Sequence, residues 1–305
     1  MKKRYLLAVL VLLSCLLIPT VAAMEDIKVA VYVIGIDNYN PSTGMYNMDF
    51  WIDFTCKNKC PIEDFELING RTTNVEEIII PEENLTYYRI DATLTDKVEL
   101  HRFPFDSQTI KIIIEHRKKD AMQLRLIPDL LRSGIDTRVY FPGWRIDGWT
   151  AYNTDHFYDP YDQTFSTYVF EVDLTRYKDA ALLFFLPIFF IVFIILFTFL
   201  LGINKLELRL GIVSSALIAA IMYQLAIASK LPPAVGYLIF ADKVMLLTYF
   251  ILLVSFILNI YMLRLVQVKK VKSAQKWYYR TKHSMIIITI ALYILLFVLF
   301  YYGLM

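Results

Sequence analysis

Four long apolar segments in the second half of the chain constrain its fold more than any other feature. Each reaches the length of about 20 apolar residues that a membrane-spanning helix needs. The chain has 305 residues, of which 57% are hydrophobic, and this share exceeds that of a typical water-soluble protein. The sequence therefore predicts a membrane domain at 179–305, with helices at about 180–201, 206–229, 243–268 and 284–304.

The connection between the third and fourth predicted helices is strongly basic and holds no acidic residue. By the positive-inside rule, this loop is expected on the cytoplasmic side of the cell membrane. An even number of spans then places both the N-terminal domain and the C-terminus outside. The basic residues are Arg264, Lys269, Lys270, Lys272, Lys276, Arg280 and Lys282.

Residues 1–23 have the organisation of a secretory signal peptide. Lys2, Lys3 and Arg4 precede an apolar stretch at 6–18, and small residues follow at 21–23. Cleavage after Ala23 is the favoured prediction. An uncleaved anchor and a lipoprotein start at Cys15 are the alternatives.

Residues 24–178 predict an extracellular β-sandwich. Short runs rich in β-branched and aromatic residues alternate there with turn signals, as in sandwich domains. One short helix is expected near Pro128–Ser133. The predicted strands are Val29–Ile36, Met45–Cys56, Glu76–Ile80, Tyr87–Leu94, Gln108–His116, Met122–Ile127, Arg145–Tyr152 and Thr164–Leu174.

Several function classes find no support in the sequence. It has no nucleotide-binding loop, metalloprotease helix or nucleophile elbow. Its four histidines are not paired at metal-ligand spacing, and its net charge of +2 gives no reason to expect nucleic acid. We therefore predict neither an enzyme nor a cofactor or metal site.

Cys56 and Cys60 are separated by three residues in the part of the chain predicted to be extracellular. An oxidising compartment favours a small disulfide loop between them. Two free thiols are the main alternative, and a metal site would need two further ligands.

The second apolar segment differs from the others because it carries small and hydroxyl residues. At helical spacing, one face carries in order an acidic residue, a glycine, a serine, three large apolar residues and a second serine. Such an order suits a channel, with a charged mouth followed by a dry constriction. A core helix with a small-residue packing face is the alternative. The face comprises Glu207, Gly211, Ser215, Ile218, Met222, Leu225 and Ser229.

A short string at Phe103-Pro104-Phe105-Asp106-Ser107-Gln108 resembles the Cys-loop signature of the pentameric ligand-gated ion channels. Related motifs follow in family order: Phe141–Ile146, Leu186-Pro187 in the first span, and Leu231-Pro232 after the second. Asp96 and Ile110 stand where animal receptors have the two cysteines. The chain thus resembles prokaryotic members, which lack that disulfide.

The resemblance implies a homopentamer with the second span of each subunit lining the pore. Glu207 then corresponds to the selectivity residue for monovalent cations, Ser215 to a hydroxyl ring and Ile218 to the central hydrophobic gate. The spacing along the helix predicts that Ile218, Met222 and Leu225 together form the hydrophobic gate. Arg209 is turned away from Glu207 on the helix and is expected to face protein or lipid headgroups. An Arg209 ring in the lumen would instead favour anions.

The resemblance also implies coupling residues where the two domains meet. These are Phe103, Pro104, Phe105 and Asp106 in the signature, with Leu231 and Pro232 of the Leu231–Tyr237 connection after the pore helix. Asp106 is expected to pair with Arg176. A surface turn aspartate beside an interfacial arginine is the alternative.

The agonist is not determined by the sequence, and both protons and a small molecule fit. The family's first binding loop has no match here. The other two loops correspond to charged and aromatic residues, and tyrosines that fill a subunit interface are the alternative to a binding site. The candidate pocket residues are Glu115, His116, Arg117, Phe157, Tyr158 and Tyr161. An anion channel and a non-conducting membrane-anchored sensor remain alternative functions.

Overall fold

The computed structural model of the protein describes residues 24–56, 61–80, 85–232 and 236–303. Its first half consists of β-strands. They are β1 (Glu25–Asn40), β2 (Met45–Thr55), β3 (Phe65–Leu67), β4 (Gly70–Ile80), β5 (Leu85–Thr95), β6 (Ser107–His116), β7 (Leu124–Pro128), β8 (Gly134–Ile135), β9 (Trp144–Tyr158) and β10 (Gln163–Arg176). The predicted signal peptide lies outside the described residues.

These strands form two sheets that enclose a common core. One sheet has the order β4-β5-β2-β1-β7, with β8 also paired to β1, and the other has the order β3-β6-β10-β9. Alternate residues of the central strands point inward, so that Val29, Val31 and Val33 of β1 are all fully buried. The sandwich is closed by inward-facing residues of both sheets, such as Phe50 and Phe170.

The second half consists of four helices, α1 (Lys178–Thr198), α2 (Leu206–Ala228), α3 (Phe240–Gln267) and α4 (Val271–Tyr301). All four are long and apolar enough to cross a membrane. The predicted architecture, a β-sandwich followed by four apolar helices, is confirmed. The fourth helix begins earlier than expected, because residues 271–283 contain no Gly or Pro to interrupt it and include the helix-favouring residues Ala, Gln, Lys and Arg.

The short helix predicted near Pro128–Ser133 is wrong. A single turn occupies this segment, closed by a hydrogen bond from the Ser133 backbone N–H to the Asp129 carbonyl. The turn does not continue as a helix because Gly134 and Ile135 pair with β1 instead. The Ser133 hydroxyl also accepts a hydrogen bond from the Val31 backbone N–H.

Candidate ion pathway and domain junction

Two tyrosines fix the rotation of α2 against its neighbours. Tyr223 of α2 donates a hydrogen bond to the Phe184 carbonyl of α1. Tyr249 of α3 donates to the Gln224 side chain of α2, with the two oxygens 2.6 Å apart. Because polar groups have few partners inside a membrane, these bonds fix which face of α2 turns outward.

The face predicted from the sequence to line a pore is directed away from the rest of the chain. All seven of its members are exposed, whereas the buried residues of α2 lie on the other side. The centres of the two faces are roughly 180° apart at 100° per residue. The buried residues are Leu206, Arg209, Val213, Ala216, Ala220 and Ile227.

Three large apolar side chains dominate the exposed face in the C-terminal half of α2. Ile218, Met222 and Leu225 are 63%, 62% and 59% exposed. A Cβ built on Gly211 meets nothing within 4 Å, so packing within the chain does not require a small residue there. The Ser215 hydroxyl donates to the Gly211 carbonyl, which leaves its oxygen lone pairs free to face water or an ion.

Glu207 and Arg209 lie on opposite sides of α2 at its first turn. Glu207 is exposed, and within the described residues its carboxylate has no ion pair. Arg209 is fully buried, with its guanidinium carbon 4.8 Å from the centre of the Phe199 ring. No hydrogen-bond partner within the described chain reaches the Arg209 nitrogens. The arginine thus does not share a face with Glu207.

The segment that carries the signature motif packs into the core of the helical domain. Phe103 lies edge-on to Phe184, and Phe105 contacts Phe185 and Phe240. The peptide bond between Phe103 and Pro104 is cis. Leu231, beyond the end of α2, is buried in the same cluster, and Pro232 is half-buried. The predicted coupling residues on both sides of the junction therefore share one apolar core.

Asp106 and Arg176 are in contact beside this core, at the ends of two paired strands of the outer domain. Arg176 donates two hydrogen bonds to the Asp106 carboxylate, with Nε 2.7 Å from Oδ1 and Nη2 3.2 Å from Oδ2. The Gln108 amide donates a third at 2.7 Å. The guanidinium lies 4.2 Å above the Trp144 ring. Both the Coulomb attraction and the stacking hold Arg176 in place.

A tight turn presents Trp144 to the arginine. Pro142 and Gly143 form its centre, Gly143 has a φ of 85°, and the Trp144 backbone N–H donates to the Phe141 carbonyl. A positive φ at this position is what a type II turn requires and what glycine adopts without strain. This turn therefore explains the Pro-Gly pair in the Phe141–Ile146 motif.

A second polar contact joins the domains through a pair of side chains that the sequence analysis did not predict. The His101 ring stacks on the Tyr237 ring, with centroids 3.6 Å apart and planes 3° from parallel. His101 Nδ1 contacts Glu99 Oε1, and the Tyr237 hydroxyl donates to the same oxygen at 3.3 Å. Only the position of His101 just before the signature motif hinted at a role.

Two of the six candidate pocket residues meet in the outer domain. Glu115 is buried, and its carboxylate accepts hydrogen bonds from Tyr158 at 3.0 Å and from Thr167 at 2.7 Å. His156, which the sequence analysis missed, lies 2.7 Å from the same carboxylate. Burial, followed by the hydrogen bond to Glu115, raises the pKa of Tyr158 to about 12.

The other four candidates do not join this cluster within the described chain. His116 packs edge-on against Phe65, and burial lowers its pKa. Arg117 lies 3.8 Å from Glu66 at the surface. Phe157 and Tyr161 are 51% and 73% exposed. An agonist pocket built from all six residues remains a prediction.

Cys56 is disulfide-bonded. Cys60 lies outside the described residues. The pairing of these two cysteines therefore stays a prediction.

No protein-family model matches the chain. Among curated proteins, it is similar to the proton-gated ion channel of Gloeobacter violaceus, with 27% identity over 192 residues. This match covers 62% of the chain and 53% of the relative, so the chain spans about half the length of the curated relative. The resemblance to the pentameric ligand-gated channels is confirmed.

Two findings favour a membrane channel over an enzyme. The match is to an ion channel rather than to an enzyme. The chain also has four helices able to span a membrane. Such a protein crosses the membrane several times, and the exposed face of α2 is its candidate ion pathway.

Proposed function

We propose that the chain is one subunit of a homopentameric channel that conducts monovalent cations along α2 and opens when protons bind. The observation that carries this proposal is the α2 face from Glu207 to Ser229, which the chain leaves exposed opposite its buried face. Five such faces around an axis form a pore about 33 Å long, at 1.5 Å per residue. That length matches the hydrocarbon core of a bilayer.

The order of side chains supports cation selectivity and a hydrophobic gate. Five Glu207 carboxylates at the cytoplasmic mouth concentrate cations and repel anions. Rings of Ile218, Met222 and Leu225 exclude water in the closed state, and the pore conducts once it widens and rewets. Arg209 is buried on the opposite side, which does not favour the anion-selective alternative.

Neighbouring subunits and lipid account for the remaining exposed apolar surface. A groove between α1 and α2, lined by Ile191, Ile194 and Leu208 among others, suits packing against the next subunit. Side chains of α4 such as Ile287 and Ile294 are 66% and 59% exposed and suit contact with lipid. The positive-inside rule supports placing the β-sandwich outside the cell membrane.

Proton gating is supported by the similarity to a proton-gated ion channel, and a small-molecule agonist is the alternative trigger. The test is to reconstitute the full-length protein in planar bilayers with asymmetric KCl and step the pH from about 8 to about 4. We expect a current whose reversal potential tracks potassium. A reversal potential that tracks chloride would support an anion channel, and silence at every pH and with candidate ligands would favour the sensor.

A further inference from the structure

The contact between His101 and Tyr237 links the outer domain to the connection that follows the pore helix. His101 lies in the segment between β5 and β6, and Tyr237 lies between α2 and α3. Two backbone hydrogen bonds run alongside it, from the Phe240 N–H to the His101 carbonyl and from the Ala241 N–H to the Phe103 carbonyl. These bonds do not depend on pH, whereas the side-chain contact contains groups that titrate.

We propose that His101 is a proton-binding residue that strengthens the link between the outer domain and the α2–α3 connection when it becomes charged. This inference rests on the proposed function and names a residue through which protons act. Histidine is the side chain whose charge ordinarily changes between pH 5 and 8. His101 is 58% exposed, so protons from the medium reach it directly.

Both neighbours of the His101 ring offer contacts to a cation. Glu99 Oε1 contacts Nδ1, and a cationic ring is attracted to the π face of Tyr237. The hydrogen bond from His101 lowers the pKa of Glu99, so that this carboxylate keeps its charge in the range where histidine titrates. Protonation therefore adds an ion pair and a cation–π contact at the same place.

Tyr237 is held in position for this contact by its hydroxyl group. The hydroxyl oxygen accepts a hydrogen bond from the Leu100 backbone N–H at 3.0 Å while it donates to Glu99. The ring thus stays flat against the imidazole, and a stronger contact draws residue 237 toward the outer domain. Because the α2–α3 connection follows α2 directly, this pull acts on the outer end of the pore helix.

Two charged residues on the packed segments, Arg102 and Asp242, are engaged elsewhere. Arg102 lies 5.0 Å above the Phe300 ring of α4. Asp242, in the first turn of α3, accepts a hydrogen bond from the Ile239 backbone N–H. Among the described residues, His101 and Glu99 form an ion pair with each other and with no third residue. Within the described part of the chain, Glu99 is thus the carboxylate that would pair with a charged His101.

The test is the half-activating pH of the full-length channel, measured by voltage clamp in oocytes. His101→Phe keeps a stacking ring but removes the charge, and we expect it to shift the half-activating pH by about 0.5–1 unit toward acid, given typical coupling of fivefold or more. His101→Arg carries a permanent charge and is expected to shift it the opposite way. In a Tyr237→Leu background, His101→Phe should have little further effect.

His283→Phe is the matched control, because His283 is an exposed histidine on α4, away from this contact. Size-exclusion chromatography of each variant excludes a loss of assembly as the cause of a shift. Acid-activated currents with the same half-activating pH in wild type, His101→Phe and His101→Arg would overturn the inference and leave the proposed function intact. A wild-type protein with no acid-activated current would overturn both.

Discussion

Arg176 holds Asp106 through two hydrogen bonds at the ends of neighbouring strands, directly above the membrane domain. The Arg176 backbone N–H also donates to the Asp106 carbonyl, so main chain and side chain fix the same register. The two side chains are only 17% and 2% exposed. A pair this deeply buried is costly to break, because the remaining charge has no water to solvate it.

Asp106→Ala is expected to destabilise the folded subunit by about 3–5 kcal/mol and to abolish current. Arg176 would remain buried beside Trp144 without its counterion. Surface biotinylation and whole-cell current measure assembly and activity separately. Asp147→Ala is the matched control, because Asp147 pairs with Arg145 at 2.6 Å but both side chains are exposed. Normal surface expression and current for Asp106→Ala as well as for Asp147→Ala would refute the prediction.

Glu207→Gln is expected to reduce the ratio of cation to anion permeability by about tenfold, because it removes the charge from the mouth of the proposed pore. The loss of conductance should be largest at low ionic strength, where screening is weak. Arg209→Gln should leave the permeability ratio unchanged, since Arg209 is buried on the opposite side of α2. Reversal potentials in asymmetric KCl measure both, and a change in selectivity only for Arg209→Gln would contradict the assignment.

Ile218→Ser is expected to shift the half-activating pH upward by about one unit and to produce a leak at neutral pH. A hydroxyl in the apolar constriction lowers the cost of wetting the closed pore. Leu217→Ser is the control, because Leu217 is also exposed but lies on another side of the helix. Equal leak currents in the two variants would show that the constriction is not at Ile218.

Glu115→Ala is expected to lower the melting temperature of the purified channel by about 5 °C. The change leaves the buried Thr167 hydroxyl and the half-buried Tyr158 hydroxyl without their shared acceptor, and a buried donor without a partner costs about 1–3 kcal/mol. Glu66→Ala is a control on the neighbouring strand, where Glu66 pairs with Glu115 in register but is 46% exposed. A melting temperature equal to that of Glu66→Ala would show that the cluster contributes no stability.

Most of the architecture was predictable because two patterns report the surroundings of a segment. The length of an apolar run indicates a membrane span, and the alternation of apolar and polar residues indicates a strand with one buried face. The four spans and the strands of the sandwich core follow from these patterns. The short strand β3 and the pair Gly134–Ile135 were missed because two or three residues show no periodicity. The turn at 128–133 was mistaken for a helix because its end is decided by pairing with β1.

The candidate pore face was readable from the sequence because helical spacing places residues three and four apart on one side. The contact between Asp106 and Arg176 was predictable only through the family motif, since 69 residues separate them. The group formed by Glu99, His101 and Tyr237 had no such motif. The fold brings it together through packing of the signature segment against α3.

The sequence by itself determined which segments enter the membrane and which face of the second helix has an order of charge, hydroxyl and apolar side chains. These are local properties, since each depends on spacing along a few turns of chain. Only the tertiary structure decided that this face turns away from the bundle while Arg209 turns into it. The reason is that the rotation of α2 is set by its contacts with α1 and α3, through Tyr223 and Tyr249, and those partners lie far away in the chain.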